Sequence, residues 1–167
     1  QNDKLERVAV YNNQSLTLTD RGQALHIVGE AVSADLFPLL EGHPMLGRNF
    51  VASEDEPGNR VAILSYALWL RQFGSDPSIV GKSITLDVRQ FTVVGIMPAG
   101  FNFPLLRDNT APELWTTVAM LGETQDGSPP MTEQRGNDFL SCVARLNPGV
   151  SLQQAQAKVD VISATLR

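Results

Sequence analysis

The residues with the clearest chemical potential in this chain are carboxylates: Glu54, Asp55 and Glu56 stand in a row shortly after Arg48. Clustered oxygen donors suit a hard cation, but the alternating ligand spacing and central glycine of a calcium loop are absent. The run therefore reads as a solvated acidic turn. Arg48, within reach of Glu54 or Asp55, predicts a different use for it: a charge-assisted, bidentate contact that closes the intervening loop as a structural clamp. At a surface such a pair stabilises by only about 0–1 kcal/mol, so its value would lie in fixing loop geometry.

Other reactive chemistry is scarce. His26 and His43 stand apart from the cysteine and read as structural or loop residues rather than zinc ligands. Gly81-Lys82-Ser83 imitates the tail of a phosphate loop, yet the preceding glycine is Gly74, too far back to form the cradle. A Gly-x-Ser-x-Gly nucleophile elbow does not occur. The only cysteine, Cys142, lies in the apolar run from Phe139 to Ala144 and reads as a small buried hydrophobe in a strand. No catalytic residue, cofactor site or metal site is expected. The remaining case for an enzyme would be Glu54, Asp55 and Asp138 assembled across a cleft.

The elements that must hold these residues are mostly strands. Arg7–Tyr11, Leu16–Leu18 and Ala24–Val28 alternate like β structure, with turns expected at Asn12-Asn13 and Asp20-Arg21-Gly22. Ser33 is expected to cap a short helical turn carrying Leu36, Phe37, Leu39 and Leu40, stopped by Gly42 and Pro44. After the strand Val61–Leu64, Ser65 is the N-cap of a helix from Tyr66 to Phe73 that ends at Gly74. Asp76-Pro77 opens a short turn closed by Gly81. Strands over Ser83–Val88 and Gln90–Met97 leave only Arg89 between them, which demands a very tight connection or shorter strands. A strand is expected over Glu113–Val118, a mobile loop from Gly122 to Gly136, and another strand over Asp138–Leu146. The last element is a helix with a Ser151/Gln154 capping box and an apolar stripe of Leu152, Ala155, Val159, Ile162 and Leu166.

Phe37, Leu40, Leu46, Phe50, Tyr66, Trp69 and Phe73 suffice for the hydrophobic centre of a small lobe. Packing is one reading of them, and an exposed interface with aromatic anchors is the other. At 167 residues, 43% hydrophobic and 19% charged, the chain has the composition of a globular domain able to bury a core. Its formal net charge of -5, with Lys and Arg scattered singly, argues against nucleic-acid binding. No apolar run reaches the length of a membrane helix, and Gln1-Asn2-Asp3-Lys4 has no signal-peptide character.

Five stretches in fixed order are more specific than any of these properties. They are Val32-Ser33-Ala34-Asp35-Leu36-Phe37-Pro38-Leu39-Leu40; Leu46-Gly47-Arg48-Asn49-Phe50; Glu54-Asp55; Ser65-Tyr66-Ala67-Leu68-Trp69; and Phe91 through Gly95 to Pro98-Ala99-Gly100-Phe101. Leu114-Trp115 and Arg145-Leu146-Asn147-Pro148-Gly149-Val150-Ser151 continue the series. This pattern resembles the extracytoplasmic core domain of MacB-like ABC transporter permeases, in particular the duplicated-permease branch. The resemblance covers most of the chain.

What the resemblance implies is an α+β fold: a porter-like α/β lobe from residues 1–32 and 136–167, and an inserted β-rich lobe carrying a helix from residues 33–135. A strand-and-helix segment that the family places before the region matching Leu5 has no counterpart here, which would leave the porter-like lobe incomplete and its strand edges exposed. The resemblance further implies a non-catalytic domain at the periplasmic face of the bacterial cytoplasmic membrane. There it would be part of a dimer, with transmembrane helices and a cytoplasmic ATPase outside this sequence and a periplasmic adaptor as a further partner. A start without methionine fits an excised domain. The alternative is a free-standing periplasmic domain of the same fold that binds a ligand or protein.

Overall fold

A computed structural model describes residues 5–20, 22–104, 110–124, 130, 133 and 140–165, except for the side chains at 158, 159 and 161–165. Eight strands form one mixed sheet: β1 (Leu5–Leu18), β2 (Leu25–Val32), β3 (Leu46–Gly47), β4 (Val61–Leu64), β5 (Ser83–Leu86), β6 (Arg89–Ile96), β7 (Leu114–Thr117) and β8 (Ser141–Leu146). Among the described residues three α-helices accompany them: α1 (Leu36–Leu39), α2 (Tyr66–Phe73) and α3 (Leu152–Thr165). The fold is α+β, as the sequence led us to expect.

Six strands close on themselves in the order β1-β2-β7-β4-β6-β5 and back to β1. The closing contact is short: Leu18 faces Leu86, Thr19 N–H donates to Thr85 O at 3.1 Å, and Asp87 N–H donates to Thr17 O at 3.0 Å. Pairs β2–β7 and β4–β6 are parallel, and the remaining pairs of the ring are antiparallel. Closing the ring gives these strands partners on both sides and removes their exposed edges. β1 is long enough to serve twice. Its second half, from Tyr11, pairs with β2, while its first half leaves the ring and pairs with β8 as a two-stranded ribbon.

Alternation along the strands sends neighbouring residues to opposite sides of the sheet. Leu16, Leu18, Ile27, Ala62, Leu64, Ile84, Leu86, Val93, Ile96 and Leu114 fill the inside of the barrel together with Leu68, Trp69 and Phe73 of α2. Ile63, Val94 and Trp115, one position along from inward residues, face outward and are covered by Leu36, Phe37 and Leu39 of α1 and by Phe50. The apolar centre expected from sequence is therefore two cores on opposite faces of one sheet. Phe37, Leu40 and Phe50 belong to the outer one, and Leu46, Tyr66, Trp69 and Phe73 to the inner one.

Several local expectations match. Ser65 Oγ accepts the Leu68 N–H at 3.1 Å, α2 ends at Gly74 in the left-handed region, and Asp76 caps the turn at Pro77. Ser151 and Gln154 exchange the two bonds of a capping box, at 3.0 and 3.2 Å. The β5–β6 connection is a two-residue turn of Asp87 and Val88, both at positive φ, so β5 ends two residues before its apolar run does, and β6 begins and ends one residue earlier than expected, at Arg89 and Ile96. This turn type matches the twist of the flanking strands.

Others are corrected. Asn12-Asn13 is not a turn: β1 runs straight through it, because pairing to β2 continues and Asn13 Nδ2 donates to Glu30 Oε1 at 3.2 Å. Ser33 does not cap α1, since its hydroxyl accepts the Val10 N–H at 3.0 Å instead. Cys142 is exposed, because it lies opposite Val10 on the ribbon face turned away from the outer core, to which Val143 belongs. Leu152, at the first turn of α3, is 75% exposed, whereas Ala155 is buried. Val159, Ile162 and Leu166 lie outside the described side chains. Asp138 and most of the expected loop from Gly122 to Gly136 also lie outside the described residues. Gly122 itself closes a 3₁₀ turn over Val118–Gly122.

Glu30 is the most unusual buried group. It is 1% exposed on β2, beside Trp115 in the register, and its Oε2 has no hydrogen-bond partner among the described residues. Burial pushes its carboxyl up from the ordinary value of 4.5, against the lowering effect of the Asn13 bond. The folded state then holds a proton that the unfolded state has released, so the charged form costs stability once pH exceeds 4.5, increasingly up to the raised folded value. Glu30→Gln is expected to raise the urea midpoint at pH 7, with the gain shrinking towards pH 4. An equal gain at both pH values would show that the carboxyl charge is not the cause.

Candidate functional site

The chain between β3 and β4 makes an excursion across the outer core, and the acidic run sits at its turn. Arg48 and Glu54 meet there as a bidentate pair, with Nη1–Oε2 at 3.1 Å and Nη2–Oε1 at 2.7 Å. Glu54 Oε2 also accepts the Val51 N–H at 3.0 Å, and its own carbonyl accepts the Thr117 hydroxyl at 2.7 Å. The 3₁₀ turn Ala52–Asp55 is thus tied to the start of its loop and to the end of β7. Asp55 turns away from Arg48. Both of its carboxylate oxygens accept the Ala34 N–H, each at 3.0 Å, which ties the same corner to the residues leading into α1.

The two neighbouring carboxyls are shifted in opposite directions by these contacts. Burial works to raise Glu54, but the Arg48 bonds, the Val51 amide and the Arg48 charge outweigh it and hold the carboxyl below its ordinary 4.5. Asp55 is raised from 3.8: burial dominates, the Ala34 amide opposes it, and the charges of Asp35, Glu54 and Glu56 add to it. Glu54 therefore contributes stability that is present above pH 4.5 and is lost as pH falls through its depressed value, while acid relieves the cost of Asp55.

A second carboxylate hub was not legible in the sequence. Glu123 accepts from Gly58 N–H at 3.1 Å, from Arg60 through Nε at 3.2 Å and Nη2 at 2.9 Å, and from Arg89 Nη1 at 2.9 Å. Burial raises this carboxyl, but the Arg60 and Gly58 bonds with the two arginine charges bring it below 4.5. It pins the 3₁₀ turn after β7 to the starts of β4 and β6. No local spacing links Glu123 to Arg60 or Arg89, so nothing in the sequence signalled it.

Other predicted positions stay apart. His26, on β2, has Thr17 Oγ1 3.4 Å from its Nδ1, and His43 is exposed in the loop after α1. Among the described residues no three His, Cys, Asp or Glu side chains come together as metal ligands. An open cleft of about 470 Å³ lies between α2 and residues 98–102 and 110–113, with Tyr66, Arg71, Phe101 and Glu113 among its walls. Arg71 and Glu113 pair with each other across it, so the cleft presents a neutralised charge pair. No described helix is long and apolar enough to cross a membrane.

Arg48→Ala is expected to loosen residues 47–55 while the barrel stays folded, since half of the Arg48 side chain is in solvent and such a pair contributes about 0–1 kcal/mol. Amide exchange should accelerate in that segment alone. Unchanged exchange there would remove the clamp.

The match to a family model of the MacB-like periplasmic core domain extends over residues 1–162. The periplasmic region of MacB from Actinobacillus actinomycetemcomitans has a similar structure, with a TM-score of 0.74 at 14% identity, over 98% of this chain and 68% of that one. The extracellular domain of the noncanonic ABC-type transporter YknZ from Gram-positive bacteria gives 0.65 at 19% identity, over 93% and 71%. A permease-protein domain from Porphyromonas gingivalis gives 0.68 at 14% identity, over 99% and 66%. No curated protein matches the sequence. The structural likenesses establish the fold, and the model match over nearly the whole length establishes the family: this chain belongs to the MacB-like periplasmic core domains of ABC transporter permeases.

Proposed function

We propose that this domain is the non-catalytic extracytoplasmic part of an ABC transporter permease, and that it passes ATP-driven conformational change to periplasmic partners or to substrate. The observation that carries the reading is the family match over residues 1–162. The engaged state of the carboxylates supports the non-catalytic part. Glu54, Asp55 and Glu123 are each bound to arginine or to backbone amides, as groups that shape loops are.

In this reading residues 1–32 and 136–167 form a porter-like lobe and residues 33–135 the inserted lobe, with β1 and β2 also serving as barrel strands. The domain acts at the periplasmic face of the cytoplasmic membrane, as one half of a dimer. Transmembrane helices, a cytoplasmic ATPase and a periplasmic adaptor complete the machine. Rigid lobes that change their mutual contacts between nucleotide states are a known way to carry such motion.

Sequencing the parent reading frame outward from both termini tests this. Apolar runs of about 20 residues on each side support the membrane-tethered permease. Polar flanks that soon reach a start and a stop codon would overturn it, leaving a free-standing periplasmic binding domain.

A further inference from the structure

Contacts from both strands of the β1–β8 ribbon converge on α1. Beside Tyr11, where β1 changes partners, Val10 N–H donates to Ser33 Oγ at 3.0 Å and Ser33 N–H donates to Val10 O at 2.9 Å. Arg7 reaches the start of α1 through Nη1 and Asp35 Oδ1 at 3.2 Å. Arg145 of β8 reaches its end: Nε donates to Leu39 O at 3.1 Å, Nη2 donates to the same carbonyl, and Nη1 donates to Glu41 Oε1 at 2.9 Å. On its other side α1 buries Leu36, Phe37 and Leu39 against outward residues of the barrel strands, Ile63, Val94 and Trp115.

Glu41 adds a second sign that this joint is a built device. It follows α1 at φ 56°, the left-handed conformation in which a helix usually ends on glycine. A side chain placed there strains the backbone, and such strain persists where surrounding contacts over-determine it. The contacts are present: Glu41 N–H donates to Pro38 O at 3.1 Å, Gly42 N–H donates to Phe37 O at 2.8 Å, and the Glu41 carboxylate is held by Arg145. A glycine would satisfy the backbone and forfeit the link to β8.

We propose that α1 is a coupling strut that makes the β1–β8 ribbon and the barrel move as one body, with the exposed arginine pairs at its two ends as the releasable contacts. Three of the four residues of α1 are embedded in the barrel's outer core, so the helix follows the barrel. Its polar ends are bound to the ribbon, so it follows the ribbon too. The Arg7–Asp35 and Arg145–Glu41 pairs are solvent-exposed on both sides, at 41% and 61% and at 37% and 74%, and open more easily than the buried contacts. The purpose of the strut rests on the transmission role proposed above, since it adds a side-chain route from the ribbon to the barrel beside the continuous backbone of β1 and the packing of Ala9 and Val143.

Two positions allow a direct test on the whole chain. The exposed native Cys142 on β8 takes one spin label, and Val88→Cys, at a barrel turn whose side chain is 82% exposed, takes the second. Pulsed dipolar spectroscopy should give a narrow distance distribution in that background. Adding Arg7→Ala and Arg145→Ala should broaden and shift it, while amide exchange at 39–42 rises about fivefold and barrel protection is unchanged. Arg145→Lys, which keeps the charge and loses the fork, should fall between the two. A distribution that stays narrow in the doubly substituted protein overturns the strut. So does a loss of barrel protection, which would make the arginines general stabilisers. Because the measurement reads coupling within this chain alone, it is independent of the reading frame that tests the transporter role.

Discussion

Phe37→Ala should cost about 3–5 kcal/mol of stability, the range for removing a buried aromatic side chain without refilling its space. Phe37 is fully buried, with its ring centroid 5.9 Å from Phe50, 5.5 Å from Phe101 and 5.7 Å from Trp115. It supplies the largest side chain by which the four-residue α1 attaches to the barrel. Urea unfolding followed by tryptophan fluorescence reads the loss, and the melting temperature should fall by about 6–20 °C for a chain of this size. A loss under about 1 kcal/mol would mean that the outer core collapses around the hole, and that Phe37 is not its keystone.

Gly47→Ala is expected to be as damaging for a different reason. Gly47 pairs with Gly95 where β3 crosses β6, at φ 74°. A Cβ there would stand 2.1 Å from Val94 O and 2.8 Å from Gly95 Cα, and both obstacles are backbone. Gly95 meets the same limit from the other side, 2.7 Å from Arg48 O. Relief requires β3 to lift off β6, breaking the Arg48 N–H bond to Val94 O and moving Arg48 away from Glu54. A loss of about 4 kcal/mol or more is expected, with the Arg48–Glu54 corner freed at the same time. Gly100→Ala is the control, because Gly100 also has positive φ, 89°, but open space around it. If the two variants lose equal stability, backbone conformation and not close approach is the reason for glycine at position 47.

These two residues show what was legible. In Leu46-Gly47-Arg48 the sequence points to the arginine, but the demand for glycine comes from Val94 and Gly95, nearly fifty positions later. Arg48 and Glu54 are six residues apart, and a short loop made their meeting readable. The Asp55 bond to Ala34, the Glu123 hub and the Arg145 bond to Leu39 span 21, 63 and 106 residues, and no local spacing announces them.

By itself the sequence determined whatever depends on near neighbours. The Ser65 cap and Gly74 stop delimit α2, the Ser151/Gln154 box begins α3, Asp76-Pro77 turns the chain, and the ordered motifs mark the family. Capping, φ preference and apolar period act within a few residues, so they can be read in order along the chain. The tertiary structure alone decided which side of the sheet each apolar residue occupies, which arginine each carboxylate finds, and that Cys142 is exposed. The reason is register: a one-residue difference in strand pairing reverses every side chain across the pleat, and register is set by the closed ring of strands as a whole.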